Sequence, residues 1–588
     1  MPDFSMQARS LVSGRAQGDL LYADVGLSFW GGVDPFSGEV IDRHHPLNGN
    51  VISGCVLAIP SGRGSCTGSS VLLELILNGH APAALVVAHP EEILSLGVLI
   101  AQALFERSLP VICIGQAAFE RLHDCTFVRV DGSQINAYVT APRDDQPASS
   151  LTAETSPQHS DVMLTDYDHA VLAGDHGKAA QVAMQIVLRM AELQGARELI
   201  DISQAHIDGC IYTGPASLRF AEQLVAWGAK VRVPTTLNAI SVDQRRWRAQ
   251  GIDPAFGEPA SALGDAYMAM GAQLSFTCAP YLLDSAPEAG DQVVWAESNA
   301  VVFANSVLAA RTQKYPDFLD ICIALTGRAP LIGCHLATGR LATLQINVPA
   351  LGEVDDAFYP LLGYHIGALA GSQIPVICGL QQAQPSRDDL KAFGAAFATT
   401  SGAPMFHIVG VTPEAATCEQ ALGGMAAQRQ LDINAQDLLA SWHELNSASS
   451  PDLGLVSLGN PHFSLSECAA LARLCVGKDK HPEVAVVITC GRHVLEQARD
   501  AGHVAALEAF GVQFVTDTCW CMLGEPVLPI SAKNLMTNSG KYAHYAPGLV
   551  GRRVHFASLA ACVDAACSGQ ASGDLPNWLS QTSRQGGY

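Results

Sequence analysis

One break in the apolar patterning of this chain limits what it can fold into. Residues 141–161 are rich in Pro, Ser and Asp and have no apolar period, which is typical of an exposed linker. On both sides of the break, short apolar runs alternate with helical stretches, which favours layered α/β units with mostly parallel sheets. We therefore predict a small α/β domain at residues 1–140, a linker at 141–161 and a large multi-layer α/β/α domain at 162–588.

The alternation is regular enough to place individual elements. Strands are predicted at residues 51–59, 84–88, 111–115, 198–203, 230–234, 484–489 and 513–516. Helices are predicted at residues 70–77, 91–104, 177–194 and 214–227. Glycines crowd the loops of the first part, and no internal repeat of fixed period is visible in the sequence.

The composition argues against several classes of partner. Of the 588 residues, 48% are hydrophobic and only 15% are charged, which favours large buried α/β layers. The net charge is -22, whereas a protein that binds nucleic acid or an anionic membrane usually carries a basic face. No apolar run reaches the ~20 residues of a membrane span, and the start shows no export signal. We therefore expect a cytoplasmic protein that acts on a small molecule, with a monomer as the working hypothesis.

The cysteines need a separate explanation because there are 17 of them, an odd number scattered over the chain. In a reducing compartment, most would be free thiols that pack as small hydrophobic side chains. A few of them could be metal ligands or reactive groups, and their positions relative to strands help to identify which.

A glycine-rich loop, Gly62-Arg63-Gly64-Ser65-Cys66-Thr67-Gly68, joins a predicted strand to a predicted helix. Glycine lets the backbone approach a ligand closely, and backbone N–H groups at a helix start favour an anion. A serine in such a turn can act as base or nucleophile where its neighbours stabilise the alkoxide. The alternative interpretation is a plain turn in which Ser69 or Ser70 caps the helix. On the loop alone, both interpretations stay open.

A second polar loop holds Asp34, His44 and His45. Histidines and aspartates in one loop can bind a metal or move protons. Adjacent histidines do not easily face one ion, so a polar loop near a domain interface is the favoured interpretation of this segment.

Three cysteines of the second part lie at or just beyond the ends of apolar runs: Cys278, Cys490 and Cys519. In α/β folds, ligand sites collect beyond the carboxyl ends of strands. None of the three has the close Cys-x-x-Cys spacing of a typical zinc or ferredoxin site. A metal site would therefore need ligands from distant loops, and a buried thiol is the alternative for each cysteine.

Polar residues are also dense at other predicted strand and helix ends, which is unusual in so apolar a chain. Each could be a cap or a satisfied turn, and together they could line a large polar pocket. These residues are Thr235, Asn238, Glu297, Ser298, Asn305, Arg311, Asn460 and Lys541.

Taken in order along the chain, these motifs resemble those of the aconitase X family, a branch of the aconitase superfamily. The first part resembles the family's small swivelling domain through Gly31-Gly32-Val33-Asp34-Pro35, His45-Pro46-Leu47 and the loop from Gly62 to Ser70. The second part resembles the family's large domain. Its matching pieces are Pro234-Thr235-Thr236-Leu237-Asn238, Thr277-Cys278-Ala279-Pro280-Tyr281, Glu297-Ser298-Asn299-Ala300, Ala304-Asn305-Ser306-Val307, Asp517-Thr518-Cys519 and Thr537-Asn538-Ser539-Gly540-Lys541.

The resemblance implies an aconitase-like fold and the dehydration of a small hydroxy acid at an iron–sulfur centre. It implies that Ser65 removes the proton α to the substrate carboxylate, while the iron acts as Lewis acid on the leaving hydroxyl. Arg63 and the backbone of Gly64 would hold that carboxylate. The further substrate contacts implied by the matching motifs are Asp34, Thr235, Asn238, Glu297, Ser298, Asn305, Arg311 and Lys541.

One departure from the family pattern bears on the cofactor. Where one branch of the family has Gly-Cys-Pro-His, this chain has Gly459-Asn460-Pro461-His462, so a cysteine is missing. A [2Fe–2S] cluster fits this sequence better than a cubane-type cluster held by three cysteines. The predicted ligands are Cys278 and Cys519, with Asn460 or Cys490 placed ahead of Cys521.

The resemblance also indicates the substrate. The chain is fused, like the members that resemble cis-3-hydroxy-L-proline dehydratases, which would form Δ1-pyrroline-2-carboxylate by loss of water and tautomerisation. A phosphomonoester, with a charge of about -2, would need several basic residues, and the motif loops offer only Arg63, Arg311 and Lys541. For the ring ammonium of an imino acid, Glu297 or Asp34 would be the acceptor.

Two alternative functions remain. Mevalonate 5-phosphate or another hydroxy acid would keep the fold and the chemistry. A non-enzymatic iron–sulfur sensor would keep the fold alone, but a sensor has no need for a base positioned as Ser65 is.

Overall fold

The computed structural model describes residues 2–43, 45–63, 65–142, 161–349 and 352–580. It divides into two compact units. One consists of Met1–Thr235, Asp265–Ala272 and Tyr315–Ile332, and the other of Thr236–Gly264, Gln273–Lys314 and Gly333–Tyr588. Most of the predicted linker, residues 143–160, lies outside the described residues. In the described ranges, no helix is long and apolar enough to cross a bilayer.

The first 142 residues are built on one sheet. Its eight strands within the described part are β1 (Phe4–Gln7), β2 (Arg9–Val12), β3 (Arg15–Tyr22), β4 (Val56–Ile59), β5 (Ala84–Val87), β6 (Val111–Cys113), β7 (Phe127–Asp131) and β8 (Gln134–Tyr138). Their order across the sheet is β1-β8-β7-β3-β4-β5-β6-β2. The strands from β3 to β6 run parallel, and antiparallel strands flank them. The helices are α1 (Gly68–Asn78), α2 (Ile93–Phe105) and α3 (Gln116–Glu120).

The central strands of this sheet form because their residues are apolar on both faces. Every residue of β4 and β5 is buried, which is typical of parallel strands covered on both sides. The predicted strand at residues 51–59 is too long, because Gly54 adopts a φ of +73° in a turn and only residues 56–59 pair. The predicted α/β class is confirmed.

The middle of the chain alternates short strands and helices. Its elements between residues 161 and 349 are α4 (Asp166–Ala173), α5 (Lys178–Gln194), β9 (Leu199–Asp201), β10 (Gln204–Ile207), α6 (Pro215–Ala226), β11 (Thr235–Leu237), α7 (Pro254–Ala269), β12 (Val293–Trp295), α8 (Ser298–Ser306), α9 (Leu319–Thr326), β13 (Arg328–Pro330) and β14 (Leu344–Asn347). Short 3₁₀ turns along the described chain span Arg121–Asp124, Pro280–Leu282, Gly333–His335 and Ala337–Arg340.

The strand predicted at residues 230–234 is wrong. In the first unit, the N–H of Val231 bonds to the carbonyl of Met270 at 2.9 Å, and the N–H of Arg232 bonds to that of Ala324 at 2.8 Å. These two bonds go to different segments and make no ladder. Pro234 has no N–H with which to continue one.

One buried acid fixes helix α1, which follows the glycine-rich loop. Oε2 of Glu74 accepts the N–H of Ala216 at 2.8 Å, at the N-terminus of α6, where the helix dipole favours a negative charge. A side chain at Gly214 would place its Cβ 2.4 Å from the Glu74 carboxylate, so only glycine fits there. Burial raises the pKa of Glu74.

The last part of the chain carries two parallel sheets of the second unit. Its elements between residues 352 and 580 are α10 (Phe358–Ala370), β15 (Pro375–Cys378), α11 (Arg387–Thr400), β16 (His407–Ile408), α12 (Cys418–Ala421), β17 (Arg429–Asp432), α13 (Ala435–Leu445), β18 (Leu455–Leu458), α14 (Leu465–Cys475), β19 (Ala485–Cys490), α15 (Arg492–Asp500), α16 (His503–Phe510), β20 (Val512–Thr516), β21 (Asn534–Thr537), α17 (Gly540–Leu549), β22 (Arg553–Phe556) and α18 (Leu559–Ser568). One sheet has the order β16-β15-β14-β17, and the other has the order β20-β19-β18-β21-β22.

All neighbouring strands of the β20-β19-β18-β21-β22 sheet run parallel. The carboxyl ends of β18, β20 and β21 therefore meet at one edge, which is where α/β folds place their sites. Alternate residues of each strand face opposite sides, so Val487 joins one aliphatic core while Ile488 and Cys490 join another.

A second buried acid, Glu91, lies beside the glycine-rich loop. Its Oε2 accepts the N–H groups of Leu94 at 2.6 Å and Ser95 at 3.3 Å, in the first turn of α2. A Cβ at Gly62 would lie 2.6 Å from Oε1 of Glu91, so the loop passes this carboxyl too closely for any side chain. Burial raises the pKa of Glu91 from 4.5 to about 7.

We expect Glu91→Gln to change how stability depends on pH. A carboxyl whose pKa is higher in the folded state favours folding below pH 4.5, and this contribution is lost as pH rises through about 7. The variant should therefore gain stability relative to wild type between pH 4.5 and pH 8, by as much as ~3 kcal/mol. Thermal unfolding followed by circular dichroism at several pH values measures the difference, and a pH-independent difference would refute the expectation.

Candidate active site

Ser65 lies in the loop between the end of β4 and the start of α1, and it is half-buried. Its Oγ donates to Oγ1 of Thr67 at 3.0 Å and accepts the N–H of Thr67 at 3.3 Å. Thr67 occupies the N-cap position, and Ser69 and Ser70 lie inside the first turn of the helix. The alternative in which Ser69 or Ser70 caps the helix therefore does not describe this loop.

Two other predicted substrate contacts of the first unit, Arg63 and Asp34, make hydrogen bonds within their own part of the chain. Arg63 is exposed and pairs with the carboxylate of Asp42 at 2.8 Å. Oδ1 of Asp34 accepts the N–H groups of Phe36 at 2.7 Å and Ser37 at 3.1 Å, which fixes the turn of its own loop. Gly64 lies outside the described residues.

Of the two histidines in the second polar loop, the structure describes His45. Nε2 of His45 lies 3.1 Å from the carbonyl of Val25, and its Nδ1 accepts the N–H of Leu47 at 3.2 Å. Both ring nitrogens are therefore hydrogen-bonded to backbone groups. Burial lowers the pKa of His45. His44 lies outside the described residues.

In the second unit, the carboxyl edge of the five-stranded sheet gathers the predicted polar residues. Asn460 comes two residues after β18, Cys519 three residues after β20, and Lys541 four residues after β21. Because these strands are parallel, their following loops share one edge of the sheet. Cys521, the predicted ligand of lowest rank, lies in the same loop as Cys519.

Three buried thiols lie near one another at this edge. The thiol of Cys519 interacts with those of Cys278 and Cys521. The interaction with Cys278 raises the pKa of Cys519, and the interaction with Cys519 raises the pKa of Cys521 well above its usual range. Nδ2 of Asn460 donates to Sγ of Cys521 at 3.2 Å. Side chains from three loops that are distant in sequence therefore meet here.

His462 supports this group through its backbone and its ring. Its N–H donates to Sγ of Cys278 at 3.3 Å. Nε2 lies 2.8 Å from the carbonyl of Thr518, so this nitrogen carries the proton, and Nδ1 accepts from the hydroxyl of Thr277 at 3.1 Å. Burial lowers the pKa of His462 to about 4, so the ring is neutral at physiological pH. Thr277 and Thr518, which directly precede Cys278 and Cys519, are therefore both hydrogen-bonded to the imidazole of His462.

A buried ion pair lies beside the thiols. Nζ of Lys541 donates to Oε1 of Glu297 at 2.8 Å, and Oε2 of Glu297 accepts the N–H of Ala300 at 2.9 Å and the amide of Asn299. Nδ2 of Asn299 also donates to the carbonyl of Cys278 at 2.9 Å. Burial alone would lower the pKa of Lys541, but the charges of Glu297, Cys521 and Cys519 raise it well above its usual range.

A small pocket opens beside Asn460. Lys391, Glu467 and Ser539 supply polar groups to its lining. The ammonium of Lys391 is buried, pairs with Glu467 and donates to the carbonyl of His462 at 3.2 Å. Burial raises the pKa of Glu467 to about 7. Lys391 and Glu467 are not among the predicted site residues, because neither lies in one of the polar clusters that mark the other residues.

Cys490 lies in different surroundings. It is the last residue of β19, and alternation along the strand turns it to the same side as Val486 and Ile488. It is fully buried in that aliphatic core, which also contains Cys468. Burial raises the pKa of Cys490 well above its usual range. The structure thus brings Cys521, rather than Cys490, to Cys278 and Cys519.

The remaining predicted contacts are mostly engaged with backbone. Oγ1 of Thr235 donates to the carbonyl of Val233 at 2.8 Å, and Oδ1 of Asn238 accepts the N–H of Ala239 at 2.7 Å. Arg311 donates to the carbonyl of His335 at 3.0 Å. Such bonds are those of caps and turns.

Two further predicted contacts lie on helix α8. The side-chain amide of Asn305 donates to the carbonyl of Thr312 and accepts the N–H of Thr312, both at 3.0 Å. It also accepts from the guanidinium of Arg340 at 3.1 Å, so these bonds tie the helix to neighbouring loops. The hydroxyl of Ser298 donates to Glu297 at 3.4 Å. Of the two, only Ser298 contacts the ion pair described above.

The donor set at the thiol edge fits an iron–sulfur cluster. In the described ranges, no three or more His, Cys, Asp or Glu side chains are arranged around a single metal ion. Soft thiolates are the ligands that iron–sulfur clusters use, and an amide oxygen is available at Asn460. The ammonium of Lys541 would offset the negative charge of deprotonated thiols.

Four domain families match consecutive stretches of the chain. They are the aconitase X swivel domain at residues 5–139, the first domain at 161–338, the second domain at 342–443 and the third domain at 453–568. The chain belongs to the aconitase X family. The predicted resemblance and the predicted aconitase-like fold are thereby confirmed. The predicted domain boundaries at 140 and 162 stay a prediction.

Two relatives of this aconitase X chain match it over nearly its full length. A cis-3-hydroxy-L-proline dehydratase of Pseudomonas aeruginosa is 61% identical over 575 residues, which cover 97% of this chain and 98% of the relative. A protein of the same name from Hypocrea jecorina is 55% identical over 578 residues, covering 97% and 96%. The predicted enzyme class, a carbon–oxygen lyase that removes water, is confirmed.

More distant relatives match about two thirds of the chain. A phosphomevalonate dehydratase large subunit of Methanothermobacter thermautotrophicus is 35% identical over 392 residues, covering 66% of this chain and 95% of the relative. The solved holo-form of Thermococcus kodakaraensis aconitase X is 31% identical, with a TM-score of 0.62, and covers 69% of this chain and 100% of that one.

We expect the Glu297–Lys541 pair to be needed as a pair. Lys541→Met would leave a buried carboxylate without its cation, which costs ~3–5 kcal/mol for buried pairs. The double variant Glu297→Gln/Lys541→Met should recover most of that loss, because neither charge then remains. Thermal unfolding of the three proteins measures both effects, and a double variant as unstable as Lys541→Met would contradict the account.

Proposed function

We propose that this aconitase X enzyme dehydrates cis-3-hydroxy-L-proline to Δ1-pyrroline-2-carboxylate. The observation that carries the proposal is the 61% identity, over nearly the full length of both chains, to a dehydratase named for that substrate. The phosphomevalonate dehydratase subunits are more distant, at 35% identity or less over about two thirds of this chain. The surroundings of Ser65 and of the thiols supply groups that suit the chemistry.

Ser65 is the proposed base that removes the Cα proton. An alkoxide on Ser65 would keep the N–H of Thr67 as a donor, and it would lie just before the N-terminus of α1, where the helix dipole favours a negative charge. These two effects favour the charged form of a hydroxyl that is otherwise a weak base.

Arg63 is the proposed partner of the substrate carboxylate. It is exposed, and its bond to Asp42 uses only part of a guanidinium that has five N–H donors. Pairing the carboxylate with a cation makes the neighbouring Cα–H more acidic, because charge that builds up there in the transition state is offset. For the ring ammonium, Asp34 and Glu297 remain the two proposed acceptors.

Aconitase-family dehydratases generally use an iron–sulfur cluster, and we propose that Cys278, Cys519, Cys521 and Asn460 hold it in this chain. When bound, the cluster would act as Lewis acid on the hydroxyl that leaves from Cβ. Three cysteines together with Asn460 would supply the four ligands of a [2Fe–2S] cluster, which is the proposed form.

The proposal is tested by incubating anaerobically purified protein with cis-3-hydroxy-L-proline and following the cyclic imine by mass spectrometry. A parallel panel contains trans-3-hydroxy-L-proline and mevalonate 5-phosphate. We expect turnover of the cis imino acid alone. Dehydration of mevalonate 5-phosphate instead would establish the alternative, and cluster-loaded protein without turnover of any substrate would favour a sensor.

We expect Ser65→Ala to lose activity while it keeps its cofactor. General-base catalysis contributes ~10²–10⁴-fold, so kcat should fall by at least about 100-fold. Iron and sulfide content should match wild type, because Ser65 is not a proposed ligand. Ser133→Ala is a matched control on an exposed serine of the same sheet. A Ser65→Ala variant with wild-type kcat would exclude Ser65 as the base.

We expect Cys521→Ala and Cys490→Ala to differ in iron content. Cys521 contacts Cys519 and Asn460, whereas Cys490 faces an aliphatic core. Iron per chain, measured after anaerobic reconstitution, should fall in Cys521→Ala and stay at the wild-type level in Cys490→Ala. The reverse result would establish the ligand set first predicted from the sequence.

A further inference from the structure

The hydroxyl of Ser65 is the outer end of a hydrogen-bonded chain that runs into the interior of the first unit. Ser65 donates to Oγ1 of Thr67 at 3.0 Å, and Thr67 donates to Oδ2 of Asp208 at 3.4 Å. Asp208 follows directly after strand β10, far from Ser65 in the sequence. Both donors are oriented inward, so each O–H points toward the carboxyl group.

The use of the Thr67 side chain is unusual for its position. Thr67 is the N-cap of α1, where a threonine hydroxyl normally accepts an N–H of the first helical turn. Here the side chain makes no such capping bond. Its hydroxyl instead accepts a hydrogen bond from Ser65 and donates one to Asp208, so Thr67 bridges the serine and the carboxyl group.

The inner end of the chain is a pair of buried carboxyl groups. Asp208 and Asp317 are 2% and 0% exposed, and the two carboxyl groups interact with each other. Ser70 donates to Oδ2 of Asp317 at 2.8 Å, while Oδ1 of Asp317 is buried and accepts no hydrogen bond from the described residues. Two buried carboxyl groups that interact in this way repel each other when both are charged, so a proton on one of them stabilises the pair.

The groups around this pair disfavour a second negative charge. Asp320 accepts the backbone N–H groups of Asp208 at 2.7 Å and Gly209 at 3.2 Å, and its carboxylate acts on the pair. The nearby Cys210 and Tyr267 are also acids, and burial raises the pKa of each well above its usual range. Burial and Asp208 likewise raise the pKa of Asp317. These effects disfavour two negative charges on the pair.

We propose that Thr67 and the Asp208–Asp317 pair form a proton relay for Ser65. The proposal rests on the proposed role of Ser65 as the base. Thr67 and Asp208 act through Ser65 and are positioning residues of the reaction. Through Thr67, the Asp208 carboxylate can accept the proton that Ser65 loses when its Oγ takes the proton from Cα.

The step balances without any further reactant. As the Cα–H bond breaks and its proton forms the new O–H bond of Ser65, the former Ser65 proton passes to Thr67 and that of Thr67 passes to the Asp208 carboxylate. After the hydroxyl has left Cβ, the same transfers run in reverse, and Ser65 gives its proton to the departing hydroxide as water. No electrons are transferred, and the pair returns to one proton.

The relay is tested with Thr67→Val, which removes the hydroxyl but keeps the shape and the backbone N–H that faces Ser65. We expect kcat to fall about 100-fold with little change in KM, and Thr67→Ser to restore most of the rate. Wild type should show a solvent isotope effect with a curved dependence on the D2O fraction, and Thr67→Val a linear one. Wild-type kcat in Thr67→Val, or equal losses in Thr67→Val and Thr67→Ser, would overturn the relay.

Ser69→Ala is the matched control for damage to the loop. Ser69 is as buried as Thr67, but among the described residues its hydroxyl bonds to two backbone carbonyls, those of Cys66 at 3.1 Å and Asp317 at 3.2 Å, and to no side chain. It should keep the wild-type solvent isotope effect. If Ser69→Ala loses rate and isotope effect as Thr67→Val does, the effect of Thr67 is packing and the relay fails.

A second readout separates the relay from the proposed substrate. The infrared spectrum of wild type at pH 8 should contain a band of a protonated carboxyl that disappears in Asp317→Asn. Absence of that band overturns the relay whichever substrate is used. An enzyme that shows the band but does not turn over cis-3-hydroxy-L-proline would refute the proposed function and leave the shared proton established.

Discussion

A group of three buried thiols at the carboxyl edge of a parallel sheet is the feature around which the candidate site of the second unit is built. Cys278, Cys519 and Cys521 are removed from water, and each thiol needs partners to replace it. The surrounding residues supply these partners: His462 through its backbone N–H, Asn460 through its amide, and the Glu297–Lys541 pair through its charge. Parallel strands make this possible, because they bring loops that are distant in sequence to one edge. The same principle holds around Ser65, where buried hydroxyl and carboxyl groups satisfy one another in a chain.

Much of the fold could be predicted because its strands and helices follow the apolar period. The predictions for β5, β19, α5 and α6 agree with the structure to within about two residues, which is the usual uncertainty of element ends. The prediction failed at residues 230–234, where apolar composition resembles that of a strand but no neighbouring strand supplies a ladder. Pairing partners are a property of the whole fold, so composition alone does not reveal them.

The candidate site could be predicted where it is marked by unusual residues and not where it depends on orientation. Glycines mark the loop of Ser65, and Cys278 and Cys519 follow apolar runs. Whether Cys490 or Cys521 joins them depends on which face of β19 the last residue occupies, and a shift of one residue reverses that face. Asp208 and Thr67 carry no mark in the sequence, since a single aspartate after a short strand is common and threonine at an N-cap is ordinary. Only the hydrogen bonds between them reveal a link to Ser65.

The central claim is that this aconitase X enzyme removes one water from cis-3-hydroxy-L-proline by taking the proton from Cα and the hydroxyl from Cβ. The most direct test compares the turnover of substrate carrying hydrogen or deuterium at Cα, with the cyclic imine quantified by mass spectrometry. The account predicts that Δ1-pyrroline-2-carboxylate forms, that the deuterated substrate reacts more slowly in kcat/KM, and that the label leaves Cα. Product that retains the Cα label, or no product from cluster-loaded enzyme, would contradict it.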